Sequence, residues 1–208
     1  MQYLFIYSKN FGILLFFFSI MQYSKYKGVL TMGRLAVYIT NLGKYLEGYG
    51  CRYGQWLQLP CSQDKLREAM ESIGINDQYE EFFITDTECK IPNITINQYA
   101  SINELNELAA KIEALVDFDY EKLSAVMEWE SSLTVAGIID IIDNLDSYTL
   151  LPGVDDDEAL GEYFSTELGV FDAIPEAFRY YIDTEKYGRD LRLSMDMCYC
   201  SYGTIIRD

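Results

Sequence analysis

LAVYITNLGKYLEGYGCRYGQWLQLP, residues 35–60, contains the first pattern of regular secondary structure that we consider. LAVYIT (Leu35–Thr40) alternates in the manner of a strand, and QWLQL (Gln55–Leu59) predicts a second strand. The four glycines between these strands are typical of turns. The stretch therefore predicts two strands joined by a glycine-rich loop.

The segment that follows predicts a helix and a third strand. Ser62 is placed to cap a helix that runs through Ile73, and Gly74 supplies a C-terminal stop. A third strand is predicted over EEFFITDTE (Glu80–Glu88). Residues 32–100 are therefore expected to form a small α+β domain.

From Ser101 the hydrophobic period becomes helical. Ser101-Ile-Asn-Glu104 has the spacing of a capping box, in which the serine side chain bonds a backbone amide. The helix it opens carries an apolar stripe of Leu105, Leu108, Ala109, Ile112, Leu115 and Val116. Two more helices are predicted over Tyr120–Trp129 and Leu133–Leu145. Residues 101–146 are therefore expected to form a helical domain.

The remaining residues, 147–208, predict a second α+β domain. A helix over Glu158–Leu168 is closed by Gly169, and Pro175 is suited to position N1 of another helix that runs through Ile182. Asp190–Ser201 is expected to be extended. The fold class is thus α+β, in three small domains along the chain.

Acidic residues dominate DNLDSYTLLPGVDDDEALGEYF, residues 143–164, which has seven acids and no base. All 33 acids of the protein follow residue 46, and 13 of the 16 bases follow Met32, so residues 32–208 carry a formal net charge of −20. No Lys or Arg occurs between Leu123 and Phe178. Such a field repels nucleic acid and anionic membranes and attracts basic protein surfaces, many of which bind DNA.

Carboxylates at regular spacing can imitate a phosphate backbone. Asp140, Asp143 and Asp146 are three apart in a predicted helix, which separates them by about 4.5 Å along the axis, whereas each DNA strand has a charge every ~3.4 Å. The acids that we expect to form such a surface are Glu80, Glu81, Asp86, Glu88, Glu128, Glu130, Asp140, Asp143, Asp146, Asp155, Asp156, Asp157, Glu158, Glu162, Glu167, Asp172 and Glu176. Composition alone leaves open a generic acidic, soluble surface.

Several kinds of catalytic or ligand site are excluded or disfavoured. The chain has no histidine, which removes histidine bases and histidine metal ligands. Its five cysteines include no CxxC pair and are expected to be reduced thiols, as in a cytoplasmic protein. Gly48-Tyr-Gly50 lacks the helix that a dinucleotide site needs, and Asp155–Glu158 lacks the spacing of a calcium loop. We therefore predict no enzyme activity, catalytic residue, metal or cofactor.

Residues 1–31 do not resemble the rest. The run FGILLFFFSIM is short for a membrane span, and it lacks the basic residues and cleavage site of a signal peptide. Met32 opens MGRLAVYIT, and the codons for Lys27-Gly28-Val29 can spell a ribosome-binding site before it. We expect a misassigned start, with translation from Met32, against the alternatives of a signal-like or a membrane-associated segment.

Several motifs, in order, resemble the ArdA antirestriction proteins. They are Asn41-Leu-Gly-Lys-Tyr45 followed by Glu47-Gly48, Gly54-Gln-Trp-Leu-Gln-Leu-Pro60, INDQYEEFFITDTEC (75–89), Tyr99-x-Ser-Ile-x-Glu-Leu-Asn106, and the YIDTEKYGRDL of residues 181–191. The resemblance spans residues 32–208 but is weak over 114–148. Leu46, where the family has a polar residue, and MCYC near the C-terminus depart from the pattern.

The resemblance implies an elongated, homodimeric DNA mimic. Proteins of this family occupy the DNA-binding groove of the methyltransferase core in type I restriction–modification enzymes. They block restriction, and we expect modification to be blocked as well. The resemblance further implies a cytoplasmic protein of mobile genetic elements that itself binds neither nucleic acid nor membrane. The alternative from another class is an acidic adaptor that binds some basic protein without competing with DNA.

Overall fold

The computed structural model describes residues 34–130 and 133–208. The expectations about residues 1–31 lie outside these residues. Gly33–Asp208 forms one unit, in which two small antiparallel sheets are separated along the chain by three helices. The mixed α+β class is thereby confirmed. The division into three domains stays a prediction.

The first sheet has strand order β2-β1-β3. Its strands are β1 (Leu35–Asn41), β2 (Gly54–Leu59) and β3 (Phe82–Cys89), all at or within two residues of their predicted bounds. Because β1 lies in the centre, six of its seven residues are buried. Helix α1 (Gln63–Ser72) follows β2, and its cap is the predicted one: the Ser62 hydroxyl accepts a hydrogen bond from the Lys65 amide at 3.3 Å.

The loop between β1 and β2 is a series of helical turns over Leu42–Tyr53. The Lys44 ammonium organises it, donating to the Tyr79 hydroxyl at 2.8 Å and to Glu47 at 3.1 Å. Gly48 has a φ of +91°, a conformation that favours glycine. Leu46 is exposed at the loop surface.

Three central helices share one hydrophobic core with the first sheet. They are α2 (Ile102–Ala114), α3 (Asp117–Trp129) and α4 (Val135–Asp143). The predicted stripe of α2 is buried from Leu105 to Ile112. Val116, however, is 64% exposed, because α2 ends at Ala114 and the chain turns into α3.

Two details of the central helices differ from the prediction. Ser101 stands at the N-cap of α2, but its side chain makes no capping hydrogen bond, so the capping box is not formed. Helix α4 ends at Asp143, two residues early, and Asp146 lies in the separate turn Leu145–Ser147. The helical rise of about 4.5 Å therefore applies to Asp140 and Asp143 only.

The second sheet has strand order β4-β6-β5. Its strands are β4 (Tyr148–Leu151), β5 (Met197–Cys200) and β6 (Gly203–Arg207). Helix α5 (Asp157–Glu167) is close to its predicted bounds, and Gly169 follows it with a φ of +65°. Helix α6 (Thr184–Ser194) was not predicted.

Two predictions for the C-terminal part were wrong. Asp190–Ser194 is helical, since the Asp183 carboxylate accepts from the Lys186 amide at 2.9 Å and starts α6 there. Pro175 stands at the N-cap position of a single turn, Glu176–Arg179, and not at N1 of a helix to Ile182. Only the part of the extended segment in β5 is confirmed.

The second sheet is apolar on both faces. One face, with Ile205, Cys198 and Cys200, joins the core shared by the first sheet and the central helices. The other, with Ile206 and Met197, packs under α5 and α6. The alternation places both thiols of Cys198 and Cys200 on one face, and both are half-buried.

Candidate acidic interaction surface

The densest group of acids surrounds the N-terminus of α5. Asp155, Asp156 and Glu158 are exposed, as is Glu162 one turn further along the helix. Asp156 is the N-cap residue, and its carboxylate accepts from the Ala159 amide at 2.8 Å. Asp155, Glu158 and Glu162 make no side-chain hydrogen bond or ion pair with the described residues. Their charges therefore face solvent uncompensated.

Asp157, in the middle of this group, is only half-exposed and is held by two neighbours. Arg192 donates to its carboxylate from Nε at 2.7 Å and from Nη2 at 3.2 Å, and the Tyr199 hydroxyl donates at 2.6 Å. The hydrogen bonds from Arg192, and to a smaller extent the one from Tyr199, lower the pKa of Asp157. Burial, and then the Asp157 carboxylate, raise the pKa of Tyr199. The charge of Asp157 is thus met within the protein.

Two glycines allow α5 and α6 to cross at very short range. A Cβ on Gly188 would lie 1.7 Å from the carbonyl oxygen of Asp157, and one on Gly161 would lie 1.9 Å from that of Thr184. Only glycine permits this approach. The crossing brings Glu185 and Arg192 of α6 beside Asp155–Glu158, with which they line one open groove.

Sequence reasoning missed Glu185, Arg192 and Tyr199 as neighbours of the acidic group. The glycine of YGRDL was the available signal, because a glycine inside a helix indicates close packing. Gly188 had no effect on the prediction because no helix was expected after Ile182, and residues 190–201 were expected to be extended. The acids at the start of α5 therefore have one base, one further acid and one tyrosine beside them.

The acids of the central helices differ in their partners. Asp140 and Asp143 lie on α4 and are exposed, as is Asp146 in the following turn. Lys111 of α2 forms an ion pair with Asp143. The Asp140 carboxylate accepts from the Asn144 side chain at 3.2 Å. Asp146 makes no side-chain hydrogen bond with the described residues, so its charge is available to solvent.

Glu128 and Glu130, at the end of α3, attach that helix to the second sheet. Glu128 accepts from the backbone amide of Ser201 at 2.8 Å. Glu130 forms an ion pair with Arg207, whose guanidinium also lies 4.7 Å from the centre of the Trp129 ring. Both carboxylates are half-buried and have partners inside the protein.

The other predicted acids lie in two places. Glu80, Glu81, Asp86 and Glu88 lie on or just before β3 and are exposed. Glu167, Asp172 and Glu176 are exposed around the turns that follow α5. Asp172 lies 3.8 Å from Arg179. The predicted acids are thus spread over five parts of the fold, and only Asp155–Glu162 form a dense group.

Bases do not offset this charge. The described residues hold 13 basic and 33 acidic side chains, and six of the bases there are in ion pairs with acids of the chain. Within residues 34–130 and 133–208, no group of acids and thiols has the arrangement of a metal site. None of the described helices has the length and apolarity to cross a membrane.

Four of the five cysteines are at least partly buried. All five are free in the structure. Burial raises the pKa of Cys61, Cys89 and Cys200, which disfavours the thiolate. Ser62 acts as a helix cap, and Gly54–Leu59, which follows Gly48-Tyr-Gly50, is a strand where a dinucleotide site would need a helix.

One family matches nearly the whole of this fold. The family model described as Antirestriction protein (ArdA) matches residues 37–205 of the 208. The match begins inside β1 and ends inside β6, so it includes both sheets, the central helices and the acidic α5. Among curated proteins, none matches this sequence. On the extent of the family match, the chain belongs to the ArdA family of antirestriction proteins.

Proposed function

We propose that this antirestriction protein acts as a DNA mimic in the cytoplasm. Its acidic surface would occupy the DNA-binding groove of the methyltransferase core in type I restriction–modification enzymes, and so block restriction together with modification. The observation that carries the proposal is the excess of 33 acids over 13 bases among the described residues of a chain of this family. Such a chain would bind neither nucleic acid nor membrane directly.

The geometry supports the proposal by leaving particular carboxylates free. Asp155, Glu158 and Glu162 are exposed and have no partner among the described residues. Glu158 and Glu162 are one helical turn apart, which separates them by about 6 Å along α5. A protein that binds DNA through phosphates responds chiefly to charge, so carboxylates at such spacing can replace phosphates without matching their positions atom by atom.

The test compares two variants that lose the same charge in different places. The first is Asp155→Asn/Glu158→Gln/Glu162→Gln. The control is Glu68→Gln/Glu71→Gln/Asp77→Asn, which changes three exposed acids outside the proposed surface. Affinity for a type I methyltransferase core is measured between low and high salt. We expect the first variant to bind more weakly with a shallower salt dependence, and the control to bind as the parent does.

Equal weakening in both variants would contradict a localised acidic surface. It would mean that overall charge, and not the group at α5, governs binding. A different outcome would contradict mimicry itself. Because a DNA mimic distributes the interaction over many charges, one conservative substitution that leaves folding intact should not abolish binding.

We also propose that the protein is a homodimer. Five large apolar or aromatic side chains are 61–91% exposed within residues 168–193: Leu168, Phe178, Tyr180, Tyr181 and Leu193. Exposed apolar residues concentrated in one segment are typical of interaction surfaces. Sedimentation velocity should give twice the chain mass for the parent. Tyr180→Ser/Tyr181→Ser should shift it toward the monomer, and an unchanged mass would exclude this segment.

A further inference from the structure

Asp157 differs from the acids beside it in what its carboxylate contacts. Both of its oxygens accept from Arg192, and one also accepts from Tyr199. Its side chain is 21% exposed. Asp155 and Glu158 are exposed and have no side-chain partner among the described residues. A partner protein would therefore find two free carboxylates here and one that is already occupied.

The contacts of Asp157 join three elements. Asp157 is the first residue of α5, Arg192 belongs to α6 and Tyr199 to β5. The glycine crossing makes α6 the close neighbour of α5 at this level, because Gly188 lies against the Asp157 carbonyl. The backbone that carries Asp155 and Glu158 is thus fixed at a point no more than two residues from each of them.

We infer that Asp157 is a positioning residue of the acidic surface: with Arg192 and Tyr199 it holds the segment that presents Asp155 and Glu158, and it contributes no charge to the partner. This inference rests on the proposed function. If the inference is right, Asp157 is not one of the carboxylates that replace DNA phosphates. Arg192 and Tyr199 then share its positioning role.

The two roles have different effects on binding. A carboxylate that meets a cation of the partner adds to the salt dependence, on the order of 0.9 in the slope of log affinity against log salt for a DNA phosphate. A residue that only orders its neighbours reduces the conformational freedom lost on binding, and this contribution does not depend on salt. Salt dependence therefore separates presentation from positioning.

The experiment uses the full chain and the methyltransferase core without DNA. Asp157→Asn/Arg192→Gln removes the ion pair and leaves the net charge unchanged, whereas Asp155→Asn removes one presented charge. For the double variant we expect weaker binding by a constant factor, on the order of three- to tenfold, at every salt concentration. For Asp155→Asn we expect a smaller slope of log affinity against log salt, by at most the ~0.9 that one DNA phosphate contributes.

A milder variant guards against a double variant that fails to fold. Tyr199→Phe removes one hydrogen bond and no charge, and we expect a smaller loss of affinity with an unchanged slope. Parent-like affinity in both Tyr199→Phe and the double variant would overturn the inference, as would a slope reduced as much as in Asp155→Asn. Failure of the parent to bind the core would instead refute the proposed function itself.

Discussion

The glycine crossing of α5 and α6 gives the sharpest prediction about the fold. In Gly188→Ala, the new Cβ would lie 1.7 Å from the Asp157 carbonyl oxygen and 2.8 Å from the Gly161 nitrogen. Both obstacles are backbone atoms, so no side-chain rotation relieves the overlap. An ordinary contact is at least 3.4 Å, so the helices must separate by about 1.7 Å, enough to lose most of the attraction between the atoms in contact.

The cost follows from that separation. Overpacking of a buried site costs about 1–3 kcal/mol, and the rigid backbone places this case at the upper end. Alanine returns about 1 kcal/mol through its higher helix propensity. The net loss in the free energy of unfolding is about 2 kcal/mol. Because urea lowers that free energy by about 2 kcal/mol per molar, the urea midpoint should fall by about 1 M.

Gly137→Ala in α4 is the matched control. Its new Cβ would meet side-chain atoms of Thr134 and Leu133 at 3.5 and 3.6 Å, which is ordinary contact. Equilibrium urea unfolding, followed by circular dichroism, should therefore show a control midpoint that is unchanged or slightly higher. Equal midpoints for Gly188→Ala and Gly137→Ala would refute the close crossing.

Further predictions concern caps, pH and the C-terminal arginine. Ser62→Ala should lower the free energy of unfolding by about 1 kcal/mol because it removes a capping hydrogen bond. Ser101→Ala should lower it by less, because the Ser101 side chain makes no such bond. Equal losses in urea unfolding would contradict this difference between the two caps. The pKa of Asp157 lies below its ordinary value, so its contribution to stability is present above that value and is lost as pH falls through the folded pKa. Asp157→Asn should therefore narrow the difference in urea midpoint between about pH 6 and about pH 3, and an unchanged difference would contradict the Arg192 contact. Arg207→Lys should destabilise the protein more than Arg67→Lys, because only Arg207 stacks on Trp129 while pairing with Glu130 and Asp196; equal thermal midpoints would show that the stacking contributes nothing.

Local patterns in the sequence were sufficient for much of the fold. The three strands of the first sheet and the helix capped by Ser62 follow from alternation, glycine and capping, all of which act within a few residues. The buried stripe of α2 followed from its period. Val116 broke the stripe because α2 ends two residues before it, and periodicity alone does not locate a helix end.

Helix α6 shows why the C-terminal part was harder. Its mean composition is polar, and two of its features, Gly188 and Arg192, make sense only against α5. The partners of Glu130 and Asp143, which are Arg207 and Lys111, are likewise distant in the chain. The acidic residues can be read from the sequence, but only the structure shows which of them already have a cation beside them.

DNA mimicry requires that the protein and DNA exclude each other on the same enzyme, and a displacement experiment measures this exclusion. The full chain is titrated into a type I methyltransferase complex that holds a labelled duplex, and release of the duplex is followed by fluorescence anisotropy at physiological salt. DNA mimicry predicts release that is complete at a stoichiometric amount of protein. Binding of the protein with the duplex still held would contradict mimicry and support an acidic adaptor.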